Sequence, residues 1–273
     1  MKASTFRPFA SLLAILFLAA AFTAPAAPKK ILFFTKSSGY EHEVISWKKG
    51  QPSFAEKVLL DLGRKNGWEF TFSKDGSKFS PEYLKQFDAV FFYTTGDLCS
   101  EGTDRQPPMT PAGKQALFDY VRAGKGFIGT HSATDTYQGS TWPWYVDFIG
   151  ANFSNHSGAG TSGTAQFYKN MTHPILTAAN TPNPWNRSEE WYTFTRDPLS
   201  SKIAGITILL TCHDTQMTQE RDTAWVHEMP PPSEGARGGR LFYTAFGHST
   251  SAFQEKAVMD LIIAGIKWAA YRL

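Results

Sequence analysis

The sequence predicts an α/β fold, a doubly wound and mostly parallel sheet flanked by helices. Three observations carry that expectation. Short apolar runs without alternation recur through the first half, the pattern of strands buried on both faces. Amphipathic stretches with helical spacing separate them in β-α-β-α order. Polar segments with glycine and histidine follow those runs, where an open parallel sheet carries its ligand-binding loops.

The elements read in order as follows. Residues 1–26 are expected to be a secretory signal peptide: Lys2 and Arg7 are basic, 10–22 is apolar, and Ala24-Pro25-Ala26 offers small residues for cleavage. The apolar core is shorter than the ~20 residues of a spanning helix, a retained N-terminal anchor being the alternative. Residues 27–273 then form one domain. Lys30 to Lys36 reads as a buried strand, and Pro52 to Asn66 as a helix closed by Gly67. Trp68 to Phe72 is a second strand and Asp88 to Thr95 a third. Thr110-Pro111 caps and opens a helix over 111–123. Gly126 to Thr130 is the fourth strand. The second half is looser: a short helix over Thr141 to Ile149, an edge strand over Thr164 to Tyr168, and strands over Ile206 to Thr211 and Leu241 to Phe246. A single long helix, Ala252 to Tyr271, closes the chain. The Pro230-Pro231-Pro232 run reads as surface loop.

Charge narrows the function classes. Loss of Lys2 and Arg7 lowers the net charge from +3 to +1, because no acid leaves with them. A near-neutral chain without a basic run lacks the footprint of a nucleic-acid binder. No stretch after residue 27 is long and apolar enough to span a bilayer, so the mature protein is expected to be secreted or periplasmic. Cys99 and Cys212 either pair or remain two unreactive thiols.

The candidate chemistry sits after the strands. His42 follows the first, Asp97 the third, His131 and Asp135 the fourth, and His248 the last. Gly129-Thr130-His131-Ser132-Ala133 has the layout of a nucleophile elbow, with an imidazole where a hydrolase carries Ser or Cys. Imidazole is a poor acyl-transfer nucleophile but a good base or metal ligand. His156 and Glu190 are further candidates, whereas His173, His213 and His227 read as structural. No H-E-x-x-H or paired C-x-x-C is present.

Taken together, the motifs FFTKSSGYEH, FDAVFFYTTGD, GKGFIGTHSATDT, IGANFSNH, THPI, EEWY, AWVHE and GGRLFYTAFGH resemble the trehalose-utilisation (ThuA-like) family, over nearly all of residues 29–271. The resemblance implies a class I glutamine-amidotransferase-like, flavodoxin-like fold. It implies a role in breaking down disaccharides, glycosides or keto-sugars. It maps the family's polar positions onto His42, His131, Asp135, His156, Glu190, Trp225, Arg240 and His248. The amidotransferase relatives need Cys at the elbow, so His131 argues against glutamine hydrolysis. Here Glu189-Glu190 stands where the family commonly has Asp then Glu, and residues 181–187 and 216–222 read as local variants.

The expected function is a carbohydrate-active hydrolase, lyase or isomerase, with a non-catalytic sugar-binding module as the alternative. His42, His131 and Asp135 are the expected catalytic residues. Tyr40, Asp97, Trp191, Tyr192, Trp225 and Arg240 are expected to hold the sugar, and His131, His156, Glu190 and His248 a divalent ion such as zinc. No nucleotide cofactor is expected. The sugar, the bond cleaved and the oligomeric state are left open.

Overall fold

The computed structural model describes residues 29–138, 142–217 and 219–270. The expected signal peptide lies outside them. Strand β1 (Lys29–Phe34) pairs in parallel with β2 (Trp68–Ser73) on one side and β3 (Ala89–Phe92) on the other. Next come β4 (Gly126–Thr130) and β11 (Arg240–Thr244), also parallel. These strands, in the order β2-β1-β3-β4-β11, form the parallel body of the sheet.

Beyond β11 the sheet continues antiparallel through β10 (Arg221–Glu228), β9 (Ile206–Asp214), β6 (Thr161–Phe167) and β7 (Trp185–Glu189). A separate antiparallel pair, β5 (Asn152–His156) with β8 (Tyr192–Arg196), stands over the carboxyl ends of the parallel strands and delivers His156 and Tyr192 there.

The apolar runs explain the layering. Along β1, Ile31 and Phe33 pack into one hydrophobic cluster, while Leu32 and Phe34 pack into another. The first cluster holds α1 (Phe54–Asn66), α5 (Pro174–Ala178), α7 (Thr250–Gln254) and α8 (Lys256–Ala269) against the sheet. The second holds α2 (Pro81–Leu84), α3 (Pro111–Arg122) and α4 (Pro143–Ile149). Truncating a phenylalanine in either cluster would cost about 3–5 kcal/mol. Local signals end the helices as read: Ser53 and Glu56 form a reciprocal capping box on α1, and Gly67 closes it at φ 66°.

Two readings change. The expected closing helix over 252–271 breaks at Glu255, whose ψ of 117° is extended, so α7 and α8 are separate. Residues 185–189 and 221–228, within or beside the stretches taken as local variants, are sheet strands. Buried polar and charged residues, Arg187 and Glu189 on the first and Asp222 on the second, broke the apolar pattern there. Among the described residues no helix is long and apolar enough to cross a membrane. Cys99 and Cys212 are both free thiols.

Candidate functional site

His131 is the pivot. Strand β4 ends at Thr130, and His131 takes a left-handed conformation (φ 46°) before a short 3-10 turn over His131–Asp135. A side-chain-bearing residue held at positive φ is strained, a feature that clusters at functional positions. The Tyr243 hydroxyl donates to the His131 carbonyl (2.6 Å) and helps hold the turn. The ring is fully buried. Its Nδ1 lies 2.8 Å from the Ala245 carbonyl, which can only accept, so Nδ1 carries the proton. Nε2 is thereby left with its lone pair facing the cluster.

Three groups meet that lone pair: the Tyr192 hydroxyl at 2.9 Å, Glu190 Oε2 at 3.2 Å and His248 Nδ1 at 3.3 Å. His248 follows β11 and donates from Nδ1 to Glu190 Oε2 at 2.9 Å. His42, at the start of the turn Glu43–Ile45, packs its ring 4.8 Å from that of His131 and 5.4 Å from that of His248. Its Nδ1 is buried without a hydrogen-bond partner. One potential ligand atom from each of His42, His131, Glu190 and His248 falls within 4.8 Å of the others. Donors sharing a metal at ~2.0–2.2 Å lie at most about 4.4 Å apart, so the widest pair would draw in by a few tenths of an ångström to share one ion.

These groups form one end of a cavity of about 320 Å³. Tyr40, Phe153 and Tyr192 supply aromatic walls, and Asp135 and His156 polar ones. Electrostatics separate the roles. Burial, reinforced by the neighbouring His131 and His248, pushes His42 down to about 2, so it is neutral at any physiological pH. For Glu190 burial opposes ionisation, but its contacts with His131 and His248 outweigh burial and hold it well below the usual carboxylate range. For His248 burial opposes charging, yet the hydrogen bond and charge of Glu190 raise its pKa. Burial lifts Asp135 to about 6.

The sequence-predicted residues divide. His42, His131, Glu190 and His248 meet at one point, with Tyr40, Asp135, His156 and Tyr192 around the same cavity. His42 joins the donor group, whereas His156, expected in it, stands at the rim: its Nδ1 donates to the Ser157 carbonyl and lies 3.2 Å from Glu190 Oε1.

Four sugar-holding expectations are corrected. Trp191 is buried and donates its indole N–H to the Thr161 carbonyl. Trp225 is buried against Tyr243 and donates to the Ile149 carbonyl. Both are core residues. Arg240 opens β11 at the edge opposite His248, pairs with Glu228 and stacks on Trp268. Asp97 accepts the Cys99 backbone N–H and does not line the cavity. Phe153, a wall of the cavity, was not anticipated.

A parallel sheet whose carboxyl-end loops converge on a buried histidine–carboxylate cluster defines an α/β protein with a candidate small-molecule site at the sheet edge. The chain belongs to the ThuA family, described as trehalose utilisation, whose model matches residues 30–269. No curated protein matches the chain. A crystal structure from Bacteroides uniformis, described as ThuA-like, has a TM-score of 0.67 at 21% identity, covering 90% of this chain and 93% of that one. Another ThuA-like protein, from Parabacteroides merdae, has a TM-score of 0.65 at 17% identity, covering 89% and 90%. A cytoplasmic protein from Salmonella typhimurium reaches 0.53 at 13% identity, covering 88% and 98%. At these identities the likeness establishes the fold.

Proposed function

We propose that this chain is a carbohydrate-active enzyme, a hydrolase, lyase or isomerase of a glycoside or keto-sugar, working in a secreted or periplasmic setting. The observation that carries the reading is the contact between two lone-pair-bearing atoms. His131 Nε2 and Glu190 Oε2 lie 3.2 Å apart while His131 Nδ1 is committed to Ala245. The Tyr192 hydroxyl donates to the first and His248 Nδ1 to the second, and a cation seated between the two would be attracted by both lone pairs. The unpartnered His42 Nδ1 beside them adds to the case for a divalent cation such as zinc. His42, His131, Glu190 and His248 would hold it. A divalent ion there would act as a Lewis acid toward a sugar carbonyl or hydroxyl.

The chain's own groups supply the rest. Ala245 fixes the His131 tautomer, as outer partners do for ligating imidazoles. Tyr40, Phe153 and Tyr192 offer ring faces to a pyranose in a cavity of suitable size. Asp135, shifted to about 6, is the group able to give or take a proton near neutral pH. His42 cannot, being held neutral. Glutamine hydrolysis is disfavoured because the strand-end turn holds His131, while burial raises the thiol of Cys212 on β9 to about 11.

The test is turnover on glycosides and keto-glycosides by the native chain and His131→Ala, with metal analysis of protein purified without chelator. Turnover abolished in the variant with sugar binding kept supports the enzyme. Binding without turnover by the native chain indicates a sugar-binding module. A native chain carrying well under one ion removes the metal and leaves an acid/base site.

A further inference from the structure

Arg187 and Glu189 lie on β7, away from the cavity, and form a pair whose side chains are each 3% exposed. Each oxygen of Glu189 is committed. Oε2 accepts from Arg187 Nη2 (2.9 Å) and from the Gly247 backbone N–H (3.2 Å), and Oε1 accepts from the Glu190 backbone N–H (3.1 Å). One carboxylate thus grips the residue that carries the Glu190 side chain and the residue immediately before His248. The arginine secures the other side: its guanidinium lies 4.3 Å from the Phe246 ring centroid, and Nη2 is 3.3 Å from Glu255 Oε2. Its Nε and Nη1 have no hydrogen-bond partner, an unusual concession for a group buried only to cross-brace a sheet edge.

We propose that Arg187 and Glu189 are positioning residues: a buried clamp between β7 and the β11–α7 turn that sets the Glu190–His248 contact. Without it, nothing else among the described hydrogen bonds joins the Glu190 backbone to the turn that carries His248. The role of that contact in holding a cation rests on the function proposed above; the clamp itself does not. Outer partners of this kind typically change metal affinity 10- to 100-fold when removed.

Two readouts on the full chain separate the ideas. Amide hydrogen exchange reports the clamp directly. Glu189→Ala is expected to speed exchange at Gly247 and Glu190 at least tenfold, with the amides of β1, β3 and β4 unchanged. Zinc affinity, measured against a competing chelator, is expected to fall at least tenfold in Glu189→Ala. Arg187→Lys, which leaves Glu189 in place and keeps the charge opposite it, is expected to retain affinity within about threefold of native. If Glu189→Ala proves too unstable to study, Glu189→Gln serves, since its amide cannot satisfy both backbone N–H groups and the arginine. Unchanged exchange at Gly247 and Glu190, or loss spread evenly over the sheet, overturns the clamp. Local loss of protection in a chain whose native form binds no zinc leaves the clamp standing and removes the cation reading.

Discussion

Replacing His42 with phenylalanine tests the electrostatic logic of the cluster without asking what the substrate is. The imidazole is buried among the rings of Tyr40, Tyr93, His131 and His248, so a phenyl ring takes nearly the same space. Two effects then add. The first is removal of a buried unpartnered nitrogen, which favours the variant by about 1 kcal/mol at neutral pH. The second depends on pH. The folded chain holds His42 near 2, whereas the unfolded chain protonates it at the ordinary value of 6.5. Between those values the unfolded state binds a proton that the folded state refuses, so native stability falls as pH falls below 6.5. At 1.36 kcal/mol per pH unit, the descent from 6.5 to 5 costs the native chain about 2 kcal/mol, or about 4–8 °C in Tm. His131, His248, Glu190 and His156 all act on this group, and all four persist in the variant, so the difference isolates His42. Thermal melts of both chains at about pH 7, 6 and 5, in chelator, should show the lead of His42→Phe widening by that amount. A constant offset, or a lead that narrows on acidification, would refute the reasoning.

Asp135 gives the opposite sign. Burial raises its carboxyl to about 6, so the folded chain keeps the proton more tightly than the unfolded one, and stability is lost as pH rises from about 4 to 6. Asp135→Asn should therefore gain Tm on the native chain between pH 4 and pH 7, and in the enzyme proposed above it would remove an ionisation near pH 6 from the rate profile; parallel Tm curves would exclude the shift. Zinc at about 100 times its Kd should stabilise chelator-stripped protein by about 2.7 kcal/mol, raising Tm by about 5–11 °C. His42→Phe should lose most of that gain, and an equal gain in both chains would place the ion elsewhere.

The sequence by itself determined the parallel half of the molecule. Its strands are buried on both faces, so runs such as Ile31–Phe34 and Ala89–Phe92 are apolar throughout and stand out from their surroundings. Once those strands are parallel, the residues after each are carried to one edge, which is why His42, His131 and His248 could be grouped before any coordinates. Tertiary structure alone decided the rest. Strands β7 and β10 hold Arg187, Glu189 and Arg221 within the sheet, where buried ion pairs replace apolar side chains and mask the pattern. The aromatic residues were ambiguous for a different reason. Trp191 and Trp225 carry a ring face and one N–H, which suit a sugar or a core equally well. Backbone carbonyls at Thr161 and Ile149 claim those N–H groups. The exchange of His42 for His156 in the donor group, and the grip of Glu189 on both halves of the site, depend on distances of a few ångströms between segments far apart in the chain. Spacing along the sequence carries no record of such distances, because they are set by how the β5–β8 pair and the β11–α7 turn pack over the sheet edge.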